Sequence, residues 1–175
     1  FPDLLIVQNK YQVKPTLPFV PGSEYSGVVQ AVGASVKHLK PGDRIATIGS
    51  TGGFATHALV DAAMAMPLPP DFDLEDAAAF AFTYGTSHHA LADRGSLKAG
   101  ETLLVLGAAG GVGSAAVQIG KAMGAKVIAA VSSADKAAFC KRLGADATID
   151  YSQTKLRDEL KTLTEGKGPD VIYDP

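Results

Sequence analysis

The chain has 175 residues, 46% of them hydrophobic and 19% charged, with a formal charge of −2 from 16 basic and 18 acidic residues scattered along it. This composition suits a soluble globular protein with one sizeable core or two small ones, and it offers no electrostatic footprint for nucleic acid or an anionic membrane. The single cysteine, Cys140, excludes an intrachain disulfide and any multi-cysteine zinc site, and fits a reducing, cytoplasmic compartment. In chain order, the first half reads as a small β domain, with β-rich runs at Gly27 to Val32 and Arg44 to Ile48 between the breakers PFVPG, LKPGD and STGG. Asp73 is then a predicted N-cap with Glu75 and Asp76 in the first turn, and Gly95 closes a second helical stretch, so helices bridge the two halves.

From Thr102 the pattern alternates. TLLVL, a helix from Ser114 to Met123, KVIAAV, a helix from Ala134 to Leu143, ATID, a polar helix from Leu156 to Leu163 and a last strand at Val171 to Asp174 predict a parallel sheet with right-handed crossovers. The first two helices are expected to end at Gly124 and Gly144 as left-handed caps. Thr102 to Gly120 is uncharged and long enough to raise a transmembrane helix, but its apolar run stops at Gly107 and glycines follow, which favours strand, turn and helix. Four strands of the six in a complete dinucleotide-binding domain, and a first residue that is Phe, lead to the expectation that the sequence is an internal fragment.

The loop after the first of these strands is Ala108, Ala109, Gly110, Gly111, Val112, Gly113, an A-x-G-x-x-G form of the dinucleotide fingerprint, with Gly107 at the strand end. Gly107 and Ala108 permit a sharp turn, Gly110 lets the backbone approach a pyrophosphate, and Gly113 lets the helix sit close on the strand. A helix starting near Val112 aims free amides and a partial positive charge at that group. The strand before, the helix after and the second strand beyond supply the context the motif requires.

The end of the second strand selects the nucleotide. An NAD site places Asp or Glu there for the ribose 2′-hydroxyl, whereas this chain offers Ser132 and Ser133, with Lys136 one turn into the following helix. A carboxylate about 4 Å from a 2′-phosphate would cost on the order of 4 kcal/mol per charge pair at an effective dielectric of 20, so hydroxyls and a lysine favour NADPH. Asp135 lies nearby but points away from Lys136 on a helix. No strong metal set is visible: Cys140 belongs to an apolar helix face, and adjacent His88 and His89 cannot face one metal from a helix.

Six segments carry a family resemblance: FPDLLIVQNKY, PFVPGSEYSGVVQAVGASVKHLKPGDRI, TYGTSHHAL, LLVLGAAGGVGSAAVQIGKAMGAKVIAAVSSADK, LGADATIDY and DVIYD. Together they resemble the zinc-free, zeta-crystallin-like quinone oxidoreductases of the medium-chain dehydrogenase/reductase superfamily. The resemblance implies part of a GroES-like catalytic domain over residues 1–86 and the N-terminal part of a Rossmann domain, a doubly wound parallel α/β sheet, over 87–175. It also implies a homodimer at full length. Zinc-binding alcohol dehydrogenases of the superfamily carry His immediately before the Glu of PGSEYSGVV; here that residue is Ser23, which disfavours zinc and alcohol oxidation.

Carried over by position, the glycine loop would hold the pyrophosphate, Ser133 and Lys136 the 2′-phosphate, and Tyr151 would lie beside the adenosine. Thr86 matches a threonine near the nicotinamide, and Tyr11 a tyrosine in the substrate cleft whose hydroxyl could bond a quinone or enone oxygen. A second family tyrosine six residues earlier is replaced by Leu5. An acceptor of this kind is already electrophilic, so positioning supplies much of the catalysis. The expected function is an NADPH-dependent reductase of quinones or α,β-unsaturated carbonyls. An enoyl-thioester reductase on the same scaffold, or a non-catalytic NADPH-binding relative, stays open.

Overall fold

The computed structural model describes residues 2–49 and 51–175, so Ser50, the first residue of the predicted STGG breaker, lies outside the described residues. The chain divides into two compact units, one running to Phe82 and the other from Thr83 to Pro175. The first holds a short helix, α1 (Pro2–Val7), and a three-stranded antiparallel sheet in the order β1 (Glu24–Val28), β2 (Arg44–Ile48), β3 (Ala65–Pro67). A short helix α2 (Leu74–Ala77) follows, and Asp73 caps it by accepting from the amides of Glu75 and Asp76, as the sequence leads one to expect.

β1 starts three residues before the predicted Gly27 and ends at Val28 rather than Val32. Its register explains the shift: β2 offers five residues, and they pair from Glu24 with Ile48 to Val28 with Arg44. The polar residues Glu24 and Ser26 are admitted because their side chains find partners, the amide of Phe82 at 2.6 Å and the carbonyl of Leu74 at 2.5 Å. The unit's buried cluster is small, formed by Leu39, Ile45 and Ala65.

Helix α3 (Ala81–His88) continues into a π-helical turn at His89–Arg94, closed by Gly95, whose amide donates to Ala90 O. The second unit then runs β4 (Thr102–Val105), α4 (Gly111–Ala122), β5 (Lys126–Val131), α5 (Ala134–Arg142), β6 (Ala147–Asp150), α6 (Leu156–Leu163) and β7 (Val171–Tyr173). The strands pair in parallel in the order β6-β5-β4-β7. This sheet and its covering helices make the Rossmann arrangement read from the sequence. β5 is buried from Val127 to Val131, as a parallel strand covered on both faces must be. Gly124 and Gly144 end α4 and α5 at φ +82° and +105°, the left-handed caps expected of them. α4 begins at Gly111, three residues before the predicted Ser114, because its first turn is built from the glycine loop itself. Cys140 is fully buried in the core of this unit. Among the described residues no helix is long and apolar enough to cross a membrane.

Candidate functional site

In the second unit, chain order reverses sides between β4 and β7, and parallel α/β sheets bind ligands beyond the strand ends at such a switch point. The glycine loop lies there. Gly107 turns the chain at φ +54°, and Ala108, fully buried, donates its amide to Ala130 O at 3.2 Å, so the turn is pinned to β5. Ala109 is half-buried beside it, and Gly110 is the N-cap of α4, with Gly110 N on Gly107 O at 2.9 Å. A side chain at Gly113 would put its Cβ 2.5 Å from Gly107 O and 2.9 Å from Ala108 Cα, so the helix approaches the strand end as only glycine allows. The amide of Ser114 is taken by Gly110 O, while helix geometry leaves the amides of Gly111, Val112 and Gly113 without an intrahelical acceptor. An anion is the ligand such a helix end favours.

The end of β5 forms a second cluster. Ser133 caps α5 by accepting from the Lys136 amide, and Lys136 Nζ donates to Ser132 Oγ at 2.9 Å. Tyr151 is exposed in the turn after β6, and its amide donates to Val131 O at 3.0 Å, which places it beside the same strand end. Ser132, Ser133, Lys136 and Tyr151 are thus brought together, and they stand at the same edge of the sheet as Gly107 to Gly113. The set fits a dinucleotide with an extra phosphate: backbone donors under the glycine turn, hydroxyls and an ammonium at the neighbouring strand end.

Thr86 is exposed on α3, and its neighbour Ser87 reaches the loop, giving its hydroxyl proton to Val112 O at 2.8 Å. Ser87 Oγ is also 3.2 Å from the hydroxyl of Tyr173 at the end of β7. Sequence reading passes over both residues, since 86 positions separate them and neither belongs to the fingerprint. Tyr11 belongs to the first unit, half-exposed in the bend that follows α1.

The position where zinc enzymes of the superfamily place histidine is closed in this chain. Ser23, buried, donates its hydroxyl to Asp3 at 2.8 Å, and the same carboxylate oxygen accepts the Gly22 amide. Glu24 is committed to the amide of Phe82, while burial raises its pKa above the ordinary value against the opposing pull of the Phe82 and Ala81 amides. The described residues contain no group of three His, Cys, Asp or Glu side chains that could hold a metal. A zinc ion does not fit these residues.

A Rossmann unit with an anion-ready glycine turn, preceded by a small antiparallel β unit, defines a dinucleotide-binding protein of the dehydrogenase type. Known proteins agree. Residues 1–70 match the alcohol dehydrogenase GroES-like domain and residues 111–175 the zinc-binding dehydrogenase family. The quinone oxidoreductase-like protein 2 homolog of Nematostella vectensis is 41% identical over 99% of the chain and 48% of that protein. Among solved structures, a probable oxidoreductase from Mycobacterium abscessus is 43% identical with a TM-score of 0.92, over 100% of the chain and 55% of its own. The Escherichia coli quinone oxidoreductase complexed with NADPH is 36% identical with a TM-score of 0.88, over 98% and 53%. The chain belongs to the quinone oxidoreductase family of the medium-chain dehydrogenase/reductase superfamily. It spans about half the length of the curated relatives it matches.

Proposed function

We propose that the protein is an NADPH-dependent reductase of quinones or α,β-unsaturated carbonyls that works without zinc. The observation that carries this reading is the pairing of an anion-ready glycine turn with the Ser132, Ser133 and Lys136 cluster at the end of β5, where an NAD site would present a carboxylate. The NADPH bound to the Escherichia coli relative supports it.

The amides of Gly111, Val112 and Gly113 hold the pyrophosphate, and Gly113 keeps the helix end close enough to present them. Lys136, already oriented by Ser132, meets the 2′-phosphate together with Ser133, while Tyr151 borders the adenosine. Thr86 takes the nicotinamide end. Bound NADPH supplies the hydride. Because the acceptor is already electrophilic, the chain's part is to position it and to quench the developing oxyanion with a proton from Tyr11 or water. Asp3, Ser23 and Glu24 take no part in the chemistry, since each is committed to hydrogen bonds within the first unit.

The test measures NADPH and NADH binding by the full-length protein, then loss of nicotinamide absorbance on adding 1,4-benzoquinone and, separately, an enone. NADPH-selective binding with oxidation by either acceptor is expected. Binding without turnover by any acceptor would overturn the catalytic reading, and equal affinity for NADH would overturn the assignment of Lys136.

A further inference from the structure

Ser87 is a polar residue in the interior of a helix, fully buried, and no step above uses it. A serine hydroxyl carries one proton, and here that proton goes to the carbonyl of Val112 in the first turn of α4. The contact between Ser87 Oγ and the Tyr173 hydroxyl therefore has Tyr173 as donor. The result is a directed chain, Tyr173 O–H to Ser87 O–H to Val112 C=O, running from the end of β7 through α3 to the phosphate-binding turn.

The direction has a consequence. A helix serine ordinarily returns its proton to a carbonyl one turn back in its own helix. With Tyr173 donating into its oxygen, the Ser87 proton is aimed across to α4. Two further contacts lie along the same side of α3: Thr83 Cγ2 is 3.4 Å from where a Gly111 side chain would start, and the Tyr84 hydroxyl accepts from Gln118 Nε2 at 2.7 Å. Of these, the bond from Ser87 is the hydrogen bond that falls on the turn whose amides face the pyrophosphate. Thr86, the adjacent residue of α3, is the one assigned to the nicotinamide end.

We infer that Ser87, oriented by Tyr173, is a positioning residue that fixes the amides of Gly111, Val112 and Gly113 for the cofactor's pyrophosphate and keeps α3, with Thr86, in step with them. The inference rests on the cofactor reading above. Both residues act through others: Ser87 is buried and Tyr173 nearly so.

A stability role and a positioning role separate in a double-mutant series on the full-length protein. Ser87→Ala cuts the tether and orphans the buried Tyr173 hydroxyl, so it lowers thermal stability and weakens NADPH roughly tenfold, the scale of one lost hydrogen bond. Adding Tyr173→Phe removes the orphan. Stability then recovers toward wild type, while NADPH affinity stays about tenfold weak because the tether is still missing. Adenosine 2′-monophosphate, which carries the 2′-phosphate but no 5′-phosphate to meet the glycine turn, is expected to bind every variant with wild-type affinity. NADPH affinity that recovers with stability in the double variant, or adenosine 2′-monophosphate binding that falls as far as NADPH binding, would overturn the inference alone. Failure of the wild-type protein to bind NADPH would overturn the cofactor reading and this inference with it.

Discussion

Two tight glycine turns, one in each unit, use the same backbone freedom to different ends. In the first unit Gly22, at φ +103°, packs so closely that a Cβ would lie 2.7 Å from Gly53 Cα, and one at Gly53 would lie 2.7 Å from Tyr25 Cδ1. Three amides there are taken within the unit: Gly22 N by Asp3, Gly52 N by Val20 O and Gly53 N by Gly22 O. In the second unit Gly113 is pressed as closely on Gly107, but the first turn of the helix it lies in leaves amides that no carbonyl of the helix can reach. A crowded glycine turn therefore signals a ligand only where it leaves donors over. The first turn closes on itself, and the second is open to an anion.

Gly113→Ala is the sharpest way to break the comparison. Its Cβ would meet backbone atoms of Gly107 and Ala108, which have no rotamer to change, so the loop itself must move. We expect a loss of ~2 to 3 kcal/mol in stability and a weakening of NADPH binding of about 100-fold, read by nicotinamide fluorescence and thermal melting. Gly53→Ala should lower stability by ~1 to 2 kcal/mol, since the nearest atom belongs to the Tyr25 ring, and should leave NADPH affinity within about twofold. If the first-unit change weakened NADPH as much as the second, the contrast between closed and open turns would fail.

Lys136→Ala sharpens the cofactor side. The lysine is exposed and pre-oriented by Ser132, so its removal should weaken NADPH about tenfold and leave NADH unchanged, in parallel titrations. A smaller loss, ~1 to 2 kcal/mol of stability with no change in either nucleotide, is expected for Asp146→Ala. That carboxylate accepts the Val127 amide at 2.6 Å and pairs with Lys121 at 2.8 Å, far along the strand from the binding edge. Burial works to raise its pKa, but the bonds from Lys121 and Val127 outweigh it and hold it below the ordinary value. Its contribution is present above that value and is lost as pH falls through the lowered one, so the variant should differ least from wild type in acid.

The second unit was legible because its signals are local. The bounds of β5, β6 and α6 follow from apolar runs and helical spacing, and the left-handed caps from Gly124 and Gly144. β1 departs from the run Gly27 to Val32 because its ends are set by a partner strand sixteen or more residues away, and its own apolar run points too far downstream. The site divides in the same way. Ser132, Ser133 and Lys136 sit within five residues, so one stretch of sequence shows them together. Ser87 and Tyr173 meet only through the crossover topology, and a serine inside TYGTSHHAL carries no mark of burial. Glu24 stood in the motif without a role until the fold brought the Phe82 amide to it.

Glu24 also gives the smallest expected effect. Burial raises its pKa above 4.5, while the amides of Phe82 and Ala81 pull the other way. The folded protein therefore keeps the proton to higher pH than the unfolded chain does, and the sign of the linkage follows: folding releases stability as pH rises from 4.5 through the raised value, and the group's favourable contribution is complete only below 4.5. Glu24→Gln retains a carbonyl oxygen to accept the Phe82 amide and has nothing to titrate. The variant should match wild type in acid and be slightly more stable near neutrality, with a flatter melting-temperature profile across that interval. A variant that instead lost stability at neutral pH would mean that the charged carboxylate, as an acceptor at the start of α3, outweighs its own burial. NADPH affinity should not move in either case, because the group belongs to the closed turn's unit and has already used its acceptor on the chain itself.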